Sequence, residues 1–158
     1  MVNKIGVDPF KGGTHKMSSD EFFENNKIFF DVIFIDGLHT FEQCKKDFVN
    51  CLKFLNDDGI ILMHDMLPRN SFEEAVPRKS IIWNGDVWKL AVEITNSTKE
   101  NFKIAKIDRG VGIFKFSKNF NLINMDKIKE KKFDDYYNEY FKILPIIDSE
   151  QAFDFLDN

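Results

Sequence analysis

The stretch DVIFIDGLHTFEQCKKDFVNCLKFLNDDGIILMHD, residues 31–65, decides the fold. It holds two short apolar runs with a segment of different period between them. DVIFID is continuously apolar until its last residue, as expected of a strand covered on both faces. From Thr40 the period changes. Phe41, Cys44, Phe48, Cys51 and Leu55 recur at intervals of three and four, the stripe of an amphipathic helix. Thr40 with Gln43 offers a capping box at its start. NDDG offers a stop, with Gly59 free to take the left-handed conformation. IILMH then reads as a second buried strand. Strand, helix and strand with short links make a right-handed βαβ unit with parallel strands.

The rest of the chain extends this unit. KIGV, residues 4–7, reads as a short buried strand ended by Asp8-Pro9, and Gly12-Gly13 breaks any period in the loop that follows. Ser18 with Glu21 three residues on is a capping-box signature for a short helix, SDEFFENN. Residues 66–84 form a long loop with two prolines, and such a loop inside a compact domain is functional or mobile. DVWKLAVEITNS reads as a helix with Val87, Leu90, Ala91 and Ile94 inward. FKIAKID and GVGIFKF read as a hairpin turning at Arg109-Gly110. The tail carries a Lys- and Asn-rich solvated link, a helical segment FDDYYNEYFKILPII and a last helix, SEQAFDFL. Residues 1–117 are thus read as the core and 118–158 as linker and helical extension.

Composition bounds the function. A chain of 158 residues is one modest domain, and a hydrophobic share of 43% suffices for a core. Eighteen Phe make aromatic packing its main source of burial. Phe22, Phe23, Phe29, Phe30, Phe41 and Phe48 are assigned to that core. The net charge of −4 argues against nucleic acid as a partner. No apolar run reaches about 18 residues, so no membrane span is expected. Cys44 and Cys51 lie roughly 10 Å apart along one helix by its 1.5 Å rise, too far for a disulfide. Reduced thiols and the lack of a signal-peptide pattern fit a cytoplasmic setting.

Asp8, Asp36 and the pair His64-Asp65 all fall at carboxyl ends of predicted strands, where open parallel sheets bind ligands. Each has a bland reading: a turn before Pro9, an Asp-Gly turn, a residue before a helix cap at His39, an ordinary strand exit. Their convergence on one sheet edge is what favours a site.

The segments IGVDPFKGGTHKMSSDEFF, FDVIFIDGLHTFEQCKKDF, DGIILMHD and WNGDVWK together resemble class I S-adenosylmethionine-dependent methyltransferases. The branch in view carries IDG-x-H after its fourth strand and HD after its fifth. The resemblance covers residues 4–116. It implies a Rossmann-like, mostly parallel α/β sheet of order 3-2-1-4-5-7-6, ending in an antiparallel hairpin, with a helical tail. It implies S-adenosylmethionine as cofactor, with Asp8 on the ribose hydroxyls, Ser18, Ser19 and Asp20 near the adenine, and Asp36 facing the methionine end or a divalent metal. His39 and His64 would face the acceptor as general bases, and Asp65 would orient a histidine or bind metal with Asp36. His64 stands where relatives that hold Mg²⁺ have an acid, which weakens a Mg²⁺ site because that ion prefers oxygen.

The family's opening strand and glycine-rich turn have no counterpart before Asp8. The expectation is therefore a fold truncated at its N-terminus: a fragment, a shortened reading frame, or a remnant whose second strand pairs elsewhere. The chain alone is expected to bind the cofactor weakly, and to self-associate through the exposed sheet edge. The implied activity is methyl transfer to a small-molecule oxygen or nitrogen acceptor, a sugar or glycan-pathway metabolite by resemblance. The alternatives are a non-catalytic remnant serving as an interaction surface, or another nucleotide-binding α/β domain with Asp8 on a ribose.

Overall fold

The computed structural model describes residues 3–157. The quoted stretch forms β1 (Phe30–Ile35), α2 (Phe41–Lys53) and β2 (Leu55–Met63), preceded by α1 (Ser19–Asn25). β1 and β2 are parallel neighbours, with Ile33 opposite Ile61 and Ile35 opposite Met63. These four side chains face α2, whose Phe41, Cys44, Phe48 and Cys51 are buried. Both cysteines are free thiols. Thr40 caps α2 by accepting from the Gln43 amide at 3.4 Å, and Ser18 with Glu21 forms the expected capping box on α1.

The end of α2 differs from the sequence reading. The helix stops at Lys53, and Leu55 belongs to β2 rather than to the helical stripe. Gly59 does not take a left-handed conformation. The polar Asn56-Asp57-Asp58-Gly59 stretch forms an irregularity within β2, because Phe30 pairs with Leu55 while Val32 pairs with Ile60. A Cβ on Gly59 would fall 2.5 Å from Leu55 Cγ, so glycine is required there by close packing.

After β2 come α3 (Ser71–Glu74), α4 (Trp88–Ser97) and the hairpin of β3 (Phe102–Ala105) and β4 (Val111–Lys115). Val87, Leu90, Ala91 and Ile94 are all buried, as their spacing requires. The sheet runs β1-β2-β4-β3-β5, where β5 is the two-residue strand Ile146–Ile147. Two of its pairings are parallel and two antiparallel. The sheet is mixed, and the mostly parallel sheet expected from the resemblance is corrected. The hairpin sets β4 antiparallel against β2 with β3 outside it, and the tail adds β5 parallel to β3 on the far side.

Residues 4–7 do not form a buried strand of this sheet. Among them only Val7 makes a bridge, to His15, and Lys4 and Ile5 are exposed. β1 is accordingly an edge strand among the described residues. Its Val32 and Phe34 are 57% and 55% exposed, since the cluster that α6 (Ser149–Asp157) forms on that face with Ala105 and Ile113 extends to Ile60 and Leu62 of β2 but not to β1. Of the six phenylalanines assigned to the core, Phe41 and Phe48 are buried, Phe22, Phe23 and Phe30 are half-buried, and Phe29 is exposed.

The tail is not a solvated link. Phe120, Leu122, Met125 and Ile128 pack on the core, and the Phe120 ring lies 4.7 Å from that of Phe114. Beyond them α5 (Phe133–Asp135) runs into a π-helical turn, Tyr136–Tyr140, and then a 3₁₀ turn, Phe141–Ile143. Tyr136 lies against Trp88 of α4.

Candidate active site at the carboxyl ends of β1 and β2

Because β1 and β2 are parallel and adjacent, Asp36 and His64-Asp65 leave the sheet side by side. The ladder continues one step past β2, with the His64 amide donating to the Ile35 carbonyl at 3.0 Å. Ligand atoms of Asp36, His64 and Asp65 all lie within 4.8 Å of one another. His39 joins them from the β1–α2 loop. Its Nε2 is 3.4 Å from Asp36 Oδ1, and its Nδ1 is 3.2 Å from Asp65 Oδ2.

The two histidines are placed for different work. His39 Nδ1 lies 2.7 Å from the carbonyl oxygen of Trp83. A carbonyl only accepts, so Nδ1 carries the proton and the lone pair of the neutral ring is on Nε2. The Trp83 ring stacks on the imidazole at 5.2 Å and 26°. His64 instead sits among three carboxylates: Asp36 and Asp65 at 3.3 Å from Nδ1, and Asp108 at 3.2 Å from Nε2. Burial works against protonation of His64, but Asp65, Asp36 and Asp108 outweigh it and hold its pKa above the ordinary value. Asp65 is pushed up chiefly by burial and also by Asp36, while His39 and His64 pull it down.

Three positions in this arrangement escape sequence reasoning. Asp108 comes from the β3–β4 turn, where Asp108, Arg109 and Gly110 all have positive φ. Asp65 also has a positive φ, of 63°. Among the described residues, the non-glycine positions with left-handed backbone are Asp65, Asp108 and Arg109, all in or beside this cluster. Strain of this kind persists where surrounding structure over-determines it. Trp83 and Asp86 come from WNGD. Asp86 accepts from the Phe41 amide at 2.7 Å and pairs with buried Lys89 at 2.8 Å, which ties the start of α2 to the start of α4. Gly85 has φ +64, and a Cβ there would fall 1.6 Å from the His39 carbonyl oxygen. The signals were the glycines of WNGD and DRG, which mark backbone needs without naming what they serve.

Of the sequence-predicted cofactor residues, Asp36 lies in the cluster, while Asp8, Ser18, Ser19 and Asp20 lie apart from it. Asp8 Oδ1 accepts from the amides of Phe10 and Lys11, both at 2.7 Å, and these bonds hold its pKa low. Ser18 is the α1 cap, Ser19 donates to Asp47 at 2.7 Å, and Asp20 pairs with Lys46 at 2.6 Å. None of these contacts reaches the Asp36 cluster.

Residues 8–66 match a family model described as a methyltransferase domain. The match supports methyl transfer as the general activity. It spans every member of the cluster contributed by β1, α2 and β2: Asp36, His39, His64 and Asp65. No curated protein matches the chain. Among the described residues no helix is long and apolar enough to cross a membrane.

The donor set can be tested against a divalent ion. Two carboxylates and one imidazole within 4.8 Å fit a divalent ion. Imidazole suits Zn²⁺, Fe²⁺ or Co²⁺ better than Mg²⁺. For the nucleoside cofactor, Asp8 keeps its second carboxylate oxygen open to a ribose diol. The hydroxyls of Ser18 and Ser19 and the carboxylate of Asp20 are already engaged.

Proposed function

We propose that the chain is a Rossmann-like methyltransferase domain that moves a methyl group from S-adenosylmethionine to an oxygen or nitrogen of a small molecule in the cytoplasm. The observation that carries this reading is the His39 geometry. Trp83 and Asp65 hold Nδ1–H, so Nε2 presents its lone pair at the carboxyl edge of the sheet, where an acceptor proton can be taken. Asp8 would hold the ribose and Asp36 the methionine end. The sulfonium supplies an activated methyl group, so the protein's part is mostly to align acceptor and donor in line. His64, with carboxylates around it and a raised pKa, holds a proton and its positive charge more readily when no metal is bound. A divalent ion held by Asp36, His64 and Asp65 would supply Lewis acidity toward the acceptor oxygen.

The engagement of Ser18, Ser19 and Asp20 in bonds within the protein favours one second reading, a non-catalytic domain that keeps the fold and binds a partner. Calorimetric titration with S-adenosylmethionine separates the two, with methyl transfer from labelled cofactor to a metabolite panel as the second measurement. Saturable binding and transfer that falls about 100-fold or more in His39→Gln support catalysis. Failure of the parent chain to bind cofactor, with or without added Zn²⁺ or Mn²⁺, would remove the catalytic reading.

A further inference from the structure

Beside the cluster, a cavity of about 380 Å³ opens between the segment after β2, the β3–β4 turn and the π-helical tail. It shares Asp108 with the cluster, because this residue lines the cavity while its Oδ2 meets His64 Nε2 at 3.2 Å. The amides of Met66 and Leu67 donate to the carbonyls of Gly110 and Arg109, at 3.0 and 2.7 Å, so two of its walls are fixed to each other.

The chemistry of the lining is uneven. Leu67 and Pro68 form its apolar base. Tyr137 is 67% exposed at its rim, with its ring stacked near that of Phe133 at 6.2 Å and 22°. Arg69 and Lys106 line the same cavity, are exposed, and have no ion-pair partner among the described residues. Arg109 is already neutralised by Glu73 at 2.8 Å. Tyr136, in the wall, is 1% exposed, and its hydroxyl has no hydrogen-bond partner among the described residues. A buried hydroxyl without an acceptor carries a desolvation penalty. It also begins a π-helical turn, a rare conformation found mostly at functional sites.

Aromatic faces and two unpaired cations define one kind of occupant. We propose that this cavity binds a ring-bearing organic anion, a phosphate or a carboxylate. Its ring rests on Tyr137 and Phe133, and its anionic group meets Arg69 and Lys106. Resting on the methyl-transfer reading, this ligand is the acceptor, and Asp108 marks the boundary between its binding pocket and the reacting end. Rings on aromatic faces and anions on guanidinium or ammonium groups are both favourable pairings.

The test uses the full chain and four probes: 4-nitrophenyl phosphate, 4-nitrobenzoate, the neutral 4-nitrophenyl glucoside, and inorganic phosphate. Binding is followed by amide chemical shifts and calorimetry. At least one aryl anion should bind tenfold or more tighter than both the neutral glucoside and inorganic phosphate. Whichever aryl anion is tighter identifies the anionic group. Arg69→Gln with Lys106→Gln, both exposed sites, should weaken that binding fivefold or more, and Tyr137→Ala should do the same without changing the melting temperature. Equal binding of the neutral probe, no saturable binding of either aryl anion, or affinity untouched by the double substitution would overturn the proposal. None of these measurements needs cofactor or turnover. A chain that binds the aryl anions but transfers no methyl group keeps this pocket and loses the catalytic reading. A chain that methylates neutral acceptors without Arg69 and Lys106 does the reverse.

Discussion

The loop around Asp8 and the cluster around Asp36 both place acidic side chains where a ligand could meet them, but they are built differently. In the loop the polar contacts are short in sequence, Asp8 with Phe10 and Lys11 and Gly6 with Thr14, and it is α1 beyond it whose Ser19 and Asp20 reach Asp47 and Lys46 of α2. In the cluster they cross the chain: His39 with Trp83, His64 with Asp108, Phe41 with Asp86. The first region holds its shape through local bonds and stays exposed. The second exists only when β1, β2, the hairpin and WNGD have all docked. Local backbone donors lower the pKa of Asp8 while its carboxylate stays at the surface. Long-range assembly brings histidines and carboxylates within 4 Å and raises the pKa of both His64 and Asp65.

The largest effect expected from this difference is seen by adding one methyl group to each region. Gly85→Ala places Cβ against the His39 carbonyl in a left-handed backbone, and combined strain and overpacking should destabilise the fold by about 4 kcal/mol or prevent folding. Gly12→Ala, also at positive φ but with nothing within 4 Å, should cost only about 1 kcal/mol. Denaturant midpoints measure both, and similar losses would mean that the two regions are equally rigid.

The next effect is that of Asp86. Asp86→Ala removes the acceptor for the Phe41 amide and strands a Lys89 that is 2% exposed. Breaking such a buried pair costs about 3 kcal/mol. Asp8→Ala should leave the unfolding midpoint unchanged, because its loop is outside the sheet, while lowering cofactor affinity. A stability loss in Asp8→Ala comparable to that in Asp86→Ala would show that the loop is part of the folding unit.

A smaller effect concerns Asp47, where the two regions touch. Its carboxylate is buried in α2 and accepts from Ser19 of α1 and from Gln43. Burial pushes its pKa up, against those hydrogen bonds. The folded value therefore exceeds the unfolded one, near 3.8. The native state binds more protons between the two values, so this residue's contribution to stability improves as pH falls through the folded pKa. Above it, the ionised form is unfavourable. Asp47→Asn keeps the acceptor oxygen for both donors. It should be more stable than the parent at pH 7, with the gap closing under acid; thermal melts across pH 3–7 check this. A gap independent of pH would assign the effect to packing.

What could be read from the sequence follows the same division. The helix over residues 41–53 was legible because Phe41, Cys44, Phe48 and Cys51 carry its period, and the hairpin because Arg109-Gly110 separates two apolar runs. The parallel pairing of β1 with β2, which puts Asp36 beside Asp65, followed from a short helix between them. The irregularity at Asn56–Gly59 was not legible, since NDDG serves a helix stop as well as a strand distortion. Asp108 and Trp83 reach the cluster from 44 residues beyond His64 and His39 respectively, and no local pattern encodes such contacts. The tail misled because Phe120, Leu122, Met125 and Ile128 have no regular period, yet they dock where Phe114 and Phe48 leave room.

Cys44 and Cys51 give the molecule a built-in clock. Burial pushes both thiols far above their ordinary pKa, and only a thiolate attacks an alkylating or disulfide reagent at an appreciable rate. In the closed protein the two sulfurs are therefore chemically silent, and each labelling event records a moment when α2 has lifted from the sheet. When reclosing outpaces labelling, the rate relative to that of an exposed thiol gives the opening equilibrium. Because α2 begins beside His39, a ligand that tightens the cluster would slow this clock from a distance, without any probe being placed in the site.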